Sequence, residues 1–280
     1  MTGGLGNQLF IYALYRSLQE NGKEVILDTS WYLYSDAPTA ALYHLDKFQC
    51  KVNEYHVPRI IDRCRQSLTR NGYDDILIKA KLWKKYKEVM PGVFDKHVFE
   101  LDDCYLEGCW QSEKYFKDIA GLIRSELIYR GEYSEKNIEF ISKIRSTNSV
   151  SLHVRRGDYL NFNMLYGGIC TEDYYCRAID YFRNRERNIT FFVFSDDIKW
   201  CKDVLLKDIE NVIFIEGNEG TESYIDMLLM SQCKNHIIAN SSFSWWGAWL
   251  SGNSGITVSP TKWLNNSPTT DVWCNDWVRL

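Results

Sequence analysis

No uninterrupted apolar run in the 280 residues approaches the ~18 needed to cross a bilayer, so no membrane span is expected. The N-terminus lacks a basic region followed by an apolar stretch, so no secretory signal is expected either. None of the nine cysteines (Cys50, Cys64, Cys104, Cys109, Cys170, Cys176, Cys201, Cys233 and Cys274) forms a CxxC pair, and an odd number cannot close fully into disulfides. That pattern points to a reducing, cytoplasmic compartment. The sequons at Asn188, Asn240 and Asn265 then carry little meaning, because a cytosolic chain does not meet the glycosylation machinery. A broad basic field is absent as well: the net charge is −4 with 25% charged residues, which argues against nucleic acid as a partner. Any anion site must be built locally. There is no internal repeat and no low-complexity segment.

What is present suits two compact domains, each large enough to bury its own core. Aromatic residues make up 15% of the chain, with 10 Trp and 18 Tyr, a bias that fits sugar rings and ordinary cores equally. In the second half, β-rich runs at 148–154, 189–194, 211–215, 235–239 and 255–259 alternate with helical patterns near 171–187, 197–207, 221–233 and 243–250. The pattern at 221–233 reads as amphipathic. Strands spaced by helices imply right-handed βαβ units and a parallel, Rossmann-like sheet. The first half is less regular: helices are predicted near 8–21, 57–70 and 118–129, a strand at 24–28, and strands or an irregular connection over 93–107. The polar stretch 142–148 marks the division, giving domains 1–147 and 148–280.

Ligands of open parallel sheets bind beyond the carboxyl ends of the strands. Four loops there are rich in polar chemistry: Arg155-Arg156-Gly157-Asp158, Ser195-Asp196-Asp197, Glu216-Gly217 and Asn240-Ser241-Ser242. Two arginines beside a glycine offer forked donors to phosphate oxygens with close backbone approach; the competing reading is a surface pair of salt bridges. Arg156 is either a second ligand or a brace. His153 lies two positions before Arg155, on the same strand face, as a ligand or as a satisfied half-buried histidine. Ser241, Ser242 and Ser244 at a helix start suit an anion, or one of them serves as an ordinary cap. Ser195, Asp196 and Asp197 invite a Mg²⁺ reading, but the two arginines already supply the positive charge a metal would bring; direct recognition of base or ribose is preferred. Gly3-Gly4-Leu5-Gly6-Asn7-Gln8 precedes a helix and has the shape of a ligand-contacting glycine loop, though without GxGxxG spacing a plain turn is an alternative. The basic stretch 79–87 fits a solvated helix face, with an amphipathic membrane-surface helix as the rival.

Six segments in order resemble the α-1,2-fucosyltransferases of glycosyltransferase family 11. They are GGLGNQLF (3–10), LEGCWQSEKYF (106–116), HVRRGDY (153–159), FVFSDD (192–197), ESYIDMLLMSQC (222–233) and IIANSSFSWWGAWL (237–250), together spanning almost the whole chain. The resemblance implies an α/β, GT-B-like arrangement of two Rossmann-like domains facing a central cleft, with 1–147 on the acceptor side and 148–280 holding GDP-β-L-fucose. It implies inverting transfer of fucose to the 2-hydroxyl of a terminal galactose, in O-antigen or polysaccharide biosynthesis; no cofactor is expected, and no metal, given the two arginines. Transfer to another position such as O6, or a non-catalytic glycan-binding relative, are the rivals. The resemblance puts Arg155 on the diphosphate and His153 and Asp196 at the nucleotide. The serine cluster, with Asn240, Ser242 and Ser244, would lie near the phosphates, and Gly6 and Asn7 would border the donor, Asn7 as a catalytic candidate. Asp158 is the candidate general base, or a brace for the arginines. The family pattern also has a short strand before GGLGN; the chain opens Met1-Thr2, so the N-terminal sheet is expected to lack it.

Overall fold

Glycines set the limits of the first element. Gly3, at φ +88°, turns the chain into helix α1 (Leu5–Glu20), and Gly22, at φ +80°, ends it in a left-handed cap. The computed structural model describes residues 1–34, 42–71, 73, 76, 84–157, 159, 164–268 and 270–280, and its contacts gather into two units, Met1–Arg130 and Gly131–Leu280.

In the first unit, α1 buries Leu9, Phe10, Ala13 and Leu14, and is tied to a later helix by a buried carboxylate. Glu126 accepts from the Tyr12 hydroxyl at 2.6 Å and pairs with Arg16 Nε at 2.8 Å. Strand β1 (Leu27–Asp28), helix α2 (Ser30–Tyr34), strand β2 (Glu54–Tyr55) and helix α3 (Arg59–Arg70) follow, with β1 and β2 parallel. Strand β3 (Lys85–Lys87) pairs in parallel with β4 (Tyr105–Glu107), and α4 (Ala120–Glu126) closes the unit. Met1 and Thr2 form no strand, and the Met1 ammonium donates to the Asp28 carbonyl. Within the basic stretch 79–87, residues 79–83 lie outside the described residues, and 85–87 form a strand, not the expected helix face. Parallel pairing with β4 takes up this backbone, and the buried Lys85 ammonium is compensated by Glu107. The stretch 93–107 contains a 3-10 turn (Lys96–Phe99) before β4.

The second unit opens with α5 (Glu135–Ser146), capped by the Ser134 hydroxyl. The sequence places the domain division at 147/148, the end of this helix; Phe140 and Ile144 bury within the second unit, and Asn137 bonds Asn218 there. The sheet then follows the expected alternation: β5 (Asn148–Val154), α6 (Glu172–Arg183), β6 (Ile189–Ser195), α7 (Ile198–Trp200) running on into a π turn (Cys201–Leu205), and β7 (Val212–Phe214). After it come α8 (Tyr224–Gln232), β8 (Asn235–Ile237), α9 (Ser242–Leu250), β9 (Thr257–Ser259) and β10 (Val278–Arg279). The six strands lie in the order β10-β9-β8-β5-β6-β7, all parallel. The chain grows outward from β5 on one side, then returns to build β8 on the other. The order therefore reverses between β5 and β8, and a crevice for ligands opens at the carboxyl ends of such a pair.

Strand β5 is buried on both faces, as a central parallel strand must be. Val150, Leu152 and Val154 pack on Tyr174, Ala178 and Phe182 of α6. The other face carries Ser149, Ser151 and His153, where Ser151 Oγ meets His236 Nδ1 at 2.8 Å. Helix α8 is not amphipathic as expected: Ile225, Met227, Leu228, Leu229 and Met230 are all buried, because α9 packs closely against it. Gly247 permits that approach; a Cβ there would sit 2.9 Å from Met230 Cβ. No described helix is long and apolar enough to cross a membrane.

Candidate functional site

The register of β5 and β6 decides what meets at the crevice. Val154 lies opposite Ser195, so the next residues, Arg155 and Asp196, leave the sheet side by side. Arg155 Nη1 pairs with Asp196 Oδ2 at 3.0 Å, and its guanidinium lies over the Tyr159 ring at 5.7 Å. Asp196 does more than neutralise it. Oδ1 accepts the Arg156 N–H at 2.9 Å and Oδ2 the Gly157 N–H at 3.2 Å, so one carboxylate shapes the whole arginine loop. A Cβ on Gly157 would approach Oδ2 to 2.8 Å, which accounts for the glycine.

Arg156 is held separately. Its Nε pairs with Asp197 at 3.2 Å and its plane stacks on Trp200 at 3.9 Å, a brace of ion pair and cation–π contact. Asp197 also caps α7 by accepting the Trp200 N–H at 3.0 Å, and its own N–H is taken by the Ser195 hydroxyl at 2.9 Å. The Ser-Asp-Asp loop thus organises arginines and backbone. Among the described residues no cluster of three or more His, Cys, Asp or Glu side chains could hold a metal ion. Asp158 lies outside the described residues; the bracing considered for it is carried by Asp196 and Asp197.

His153 is 6% exposed, beside Phe243 at 5.8 Å between ring centres. Burial, helped by the Arg155 charge, pushes its imidazole down to about 3, so it is neutral in the folded protein. Its Nδ1 meets no hydrogen-bond partner among the described residues.

On the β8 side, the expected residues divide. The Asn240 amide donates to the carbonyls of Tyr166 and Trp263, both at 3.1 Å, and its Oδ1 accepts from Cys170, so this side chain fastens two loops to the sheet edge. Ser244 is 1% exposed and donates to the Ser241 carbonyl. At the start of α9 no side chain caps the helix, which leaves the first-turn N–H groups at Ser241 and Ser242 for an anion. The tryptophans that follow are core: Trp245 and Trp246 are fully buried, and Trp245 Nε1 donates to the Val272 carbonyl at 2.7 Å.

The glycine loop of the first unit is a second, uncharged candidate. Gly3 O accepts from Gln8 Nε2 at 3.1 Å and from the Tyr32 hydroxyl at 2.8 Å, fixing the loop. Gly6 is buried in the first turn of α1, which has no side-chain cap. Asn7 Oδ1 accepts from Gln111 Nε2 at 2.8 Å, and a Cβ on Gly3 would crowd Asn7 Nδ2 at 2.8 Å.

Sequence reasoning missed Trp200, Tyr159 and Gln111. The first stands three residues beyond Asp197, on the next helical turn; the other two sit inside family segments but had no role assigned.

Comparison with known proteins identifies the family. The family model "Glycosyl transferase family 11" matches residues 39–280. An alpha-1,2-colitosyltransferase of Escherichia coli is 37% identical, covering 100% of this chain and 97% of that one. An O-antigen biosynthesis glycosyltransferase of the same organism, WbnK, is 31% identical over 100% and 99%. A galactoside 2-alpha-L-fucosyltransferase of Bos taurus, SEC1, is 24% identical over 92% and 65%. Among solved structures, the alpha-1,6-fucosyltransferase NodZ soaked with GDP-fucose aligns with a TM-score of 0.52 at 16% identity, covering 89% of this chain and 90% of that one. The fold is thus the expected α/β, GT-B-like one.

Proposed function

The chain belongs to glycosyltransferase family 11, and from that premise we propose that it transfers L-fucose from GDP-β-L-fucose, with inversion, to the 2-hydroxyl of a terminal galactose in a glycan. The observation that carries the reading is the arginine loop at the reversal point of the sheet, with Arg155 presented on Asp196 next to the uncapped start of α9. As GDP departs, negative charge grows on the β-phosphate while the sugar becomes oxocarbenium-like. A guanidinium and helix N–H groups fixed beside that oxygen stabilise the charge as it develops. Arg155 is the principal diphosphate ligand, and Ser241 and Ser242 supply backbone donors. Arg156 acts as the brace, and His153 and Asp196 lie on the nucleotide side. Asn7 and Gly6 add uncharged donors from the glycine loop, and Asp158 is the candidate base for the acceptor hydroxyl.

Metal independence belongs to the same reading, since the diphosphate charge is met by guanidinium and N–H donors. The first-named relative supports a second reading, with the same 1,2 linkage and GDP-colitose as donor. Colitose is fucose without its 3-hydroxyl. A site that hydrogen-bonds that hydroxyl rejects the deoxy sugar strongly, so the ratio of kcat/KM for the two donors separates the readings. The experiment is incubation with each donor and a β-galactoside, followed by linkage analysis. A 1,2-linked fucosyl product with release of GDP is expected; a 1,6 linkage, or no GDP release from either donor, would overturn the proposal.

A further inference from the structure

The segment 106–116 is one of the six that resemble the family. Its geometry is unusual. Strand β4 leads into a turn where Trp110, a bulky residue, adopts a left-handed φ of +55° while 2% exposed, packed edge-on to Tyr115. Such a conformation costs on the order of 1–3 kcal/mol and persists only where the surroundings enforce it. The enforcing group is Glu88, at the end of β3. Its buried carboxylate accepts the Cys109 N–H at 2.8 Å, and Gly108 is required because a Cβ there would meet Glu88 Cβ at 2.5 Å. Burial raises the Glu88 carboxyl, while the N–H groups of Cys109, Trp110 and Gly92 pull it back toward the charged form. Beyond Trp110 the Ser112 N–H reaches the Trp110 carbonyl at 2.8 Å, a three-residue turn with Gln111 at its apex. That apex places Gln111 Nε2 on Asn7 Oδ1.

An amide can face a ligand with either its N–H₂ or its carbonyl. A donor locked onto Asn7 Oδ1 decides which. We propose that Gln111 is a positioning residue that fixes the Asn7 amide so that its N–H, not its carbonyl, is offered to a substrate oxygen, with Glu88 and the strained Trp110 holding the turn in place. This rests on the reading of Asn7 as a substrate-contacting residue. Among the described residues no acceptor meets Asn7 Nδ2, as that role requires.

The test is kcat/KM as a function of pH for Gln111→Glu, Asn7→Ala and the double variant. A carboxylate at position 111 cannot donate to Oδ1 and draws Nδ2 toward itself, reversing the amide. Gln111→Glu is expected to lose roughly 10- to 100-fold at pH 8, and the deficit relative to wild type shrinks toward pH 5 as the new carboxyl takes up a proton and can donate again. In the Asn7→Ala background the same change is expected to cost less than about 2-fold, because the two residues act through one contact. Gln111→Met, similar in length and unable to donate, is expected to show a pH-independent loss that likewise vanishes when Asn7 is alanine. Equal losses in both backgrounds, or no loss in either Gln111 variant, would overturn the proposal while a damaging Asn7→Ala leaves the reading of Asn7 standing. An Asn7→Ala enzyme as active as wild type would overturn both.

Discussion

The two loops proposed to contact substrate are built from opposite materials. At the carboxyl end of β5 the donors are guanidinium groups, each paired with its own carboxylate: Arg155 with Asp196 and Arg156 with Asp197. In the glycine loop the donors are backbone and amide groups, oriented by Gly3, Gln8 and Gln111, with no ionised side chain among these contacts. Charge gives strength but must be neutralised before substrate arrives, and the aspartates do this. Amides need no counter-charge, but their direction must be fixed by neighbours. The first loop is therefore expected to act through its charge and the second through the fixed direction of its amides.

The comparison is sharpest at Arg155. Arg155→Ala is expected to lower kcat/KM by about 10²- to 10³-fold, the usual cost of removing a donor aimed at developing charge; a loss no larger than that of Asn7→Ala would erase the distinction between the loops. Gly157→Ala should come next, because the new methyl group presses on the Asp196 oxygen that holds both the loop and Arg155. A roughly 10-fold loss in kcat/KM with about 1 kcal/mol or less of lost stability, read by denaturant unfolding, is expected. An unfolded variant would mean that the loop is structural first.

A smaller effect concerns pH. His153 and His236 are both pushed by burial from an ordinary 6.5 down to about 3, so the unfolded chain binds these protons more readily than the folded one. Their contribution to stability is complete above about pH 6.5 and lost as pH falls from there toward 3. Each is expected to cost on the order of 1 kcal/mol per pH unit below about pH 6, measured by chemical unfolding of wild type and of His236→Asn. An unfolding free energy flat between pH 7 and 5 would contradict that. The smallest expected effect is none: turnover in EDTA should match turnover without it, whereas loss on chelation with recovery in Mg²⁺ would turn Asp196 and Asp197 from braces into metal ligands.

Much of the second unit was legible because its strands are short β-rich runs separated by helical periods, as 148–154 and 189–195 show. The arginine loop followed from its place after β5. What stayed hidden depends on register and distant partners. Asp196 shapes the arginine loop because Val154 lies opposite Ser195, and Asn240 is a fastener because Tyr166 and Trp263 come to it from remote parts of the chain. In the first unit β1 and β2 are two residues each and the turn at Trp110 opposes local preference, so tertiary contacts, not periodicity, set the structure there.

The central claim is that the loop after β5 holds the diphosphate. Calorimetric titration of GDP and GMP into wild type and Arg155→Ala tests it most directly. Wild type should bind GDP well above GMP, and the difference should collapse in the variant; an unchanged preference for GDP in Arg155→Ala would contradict the account.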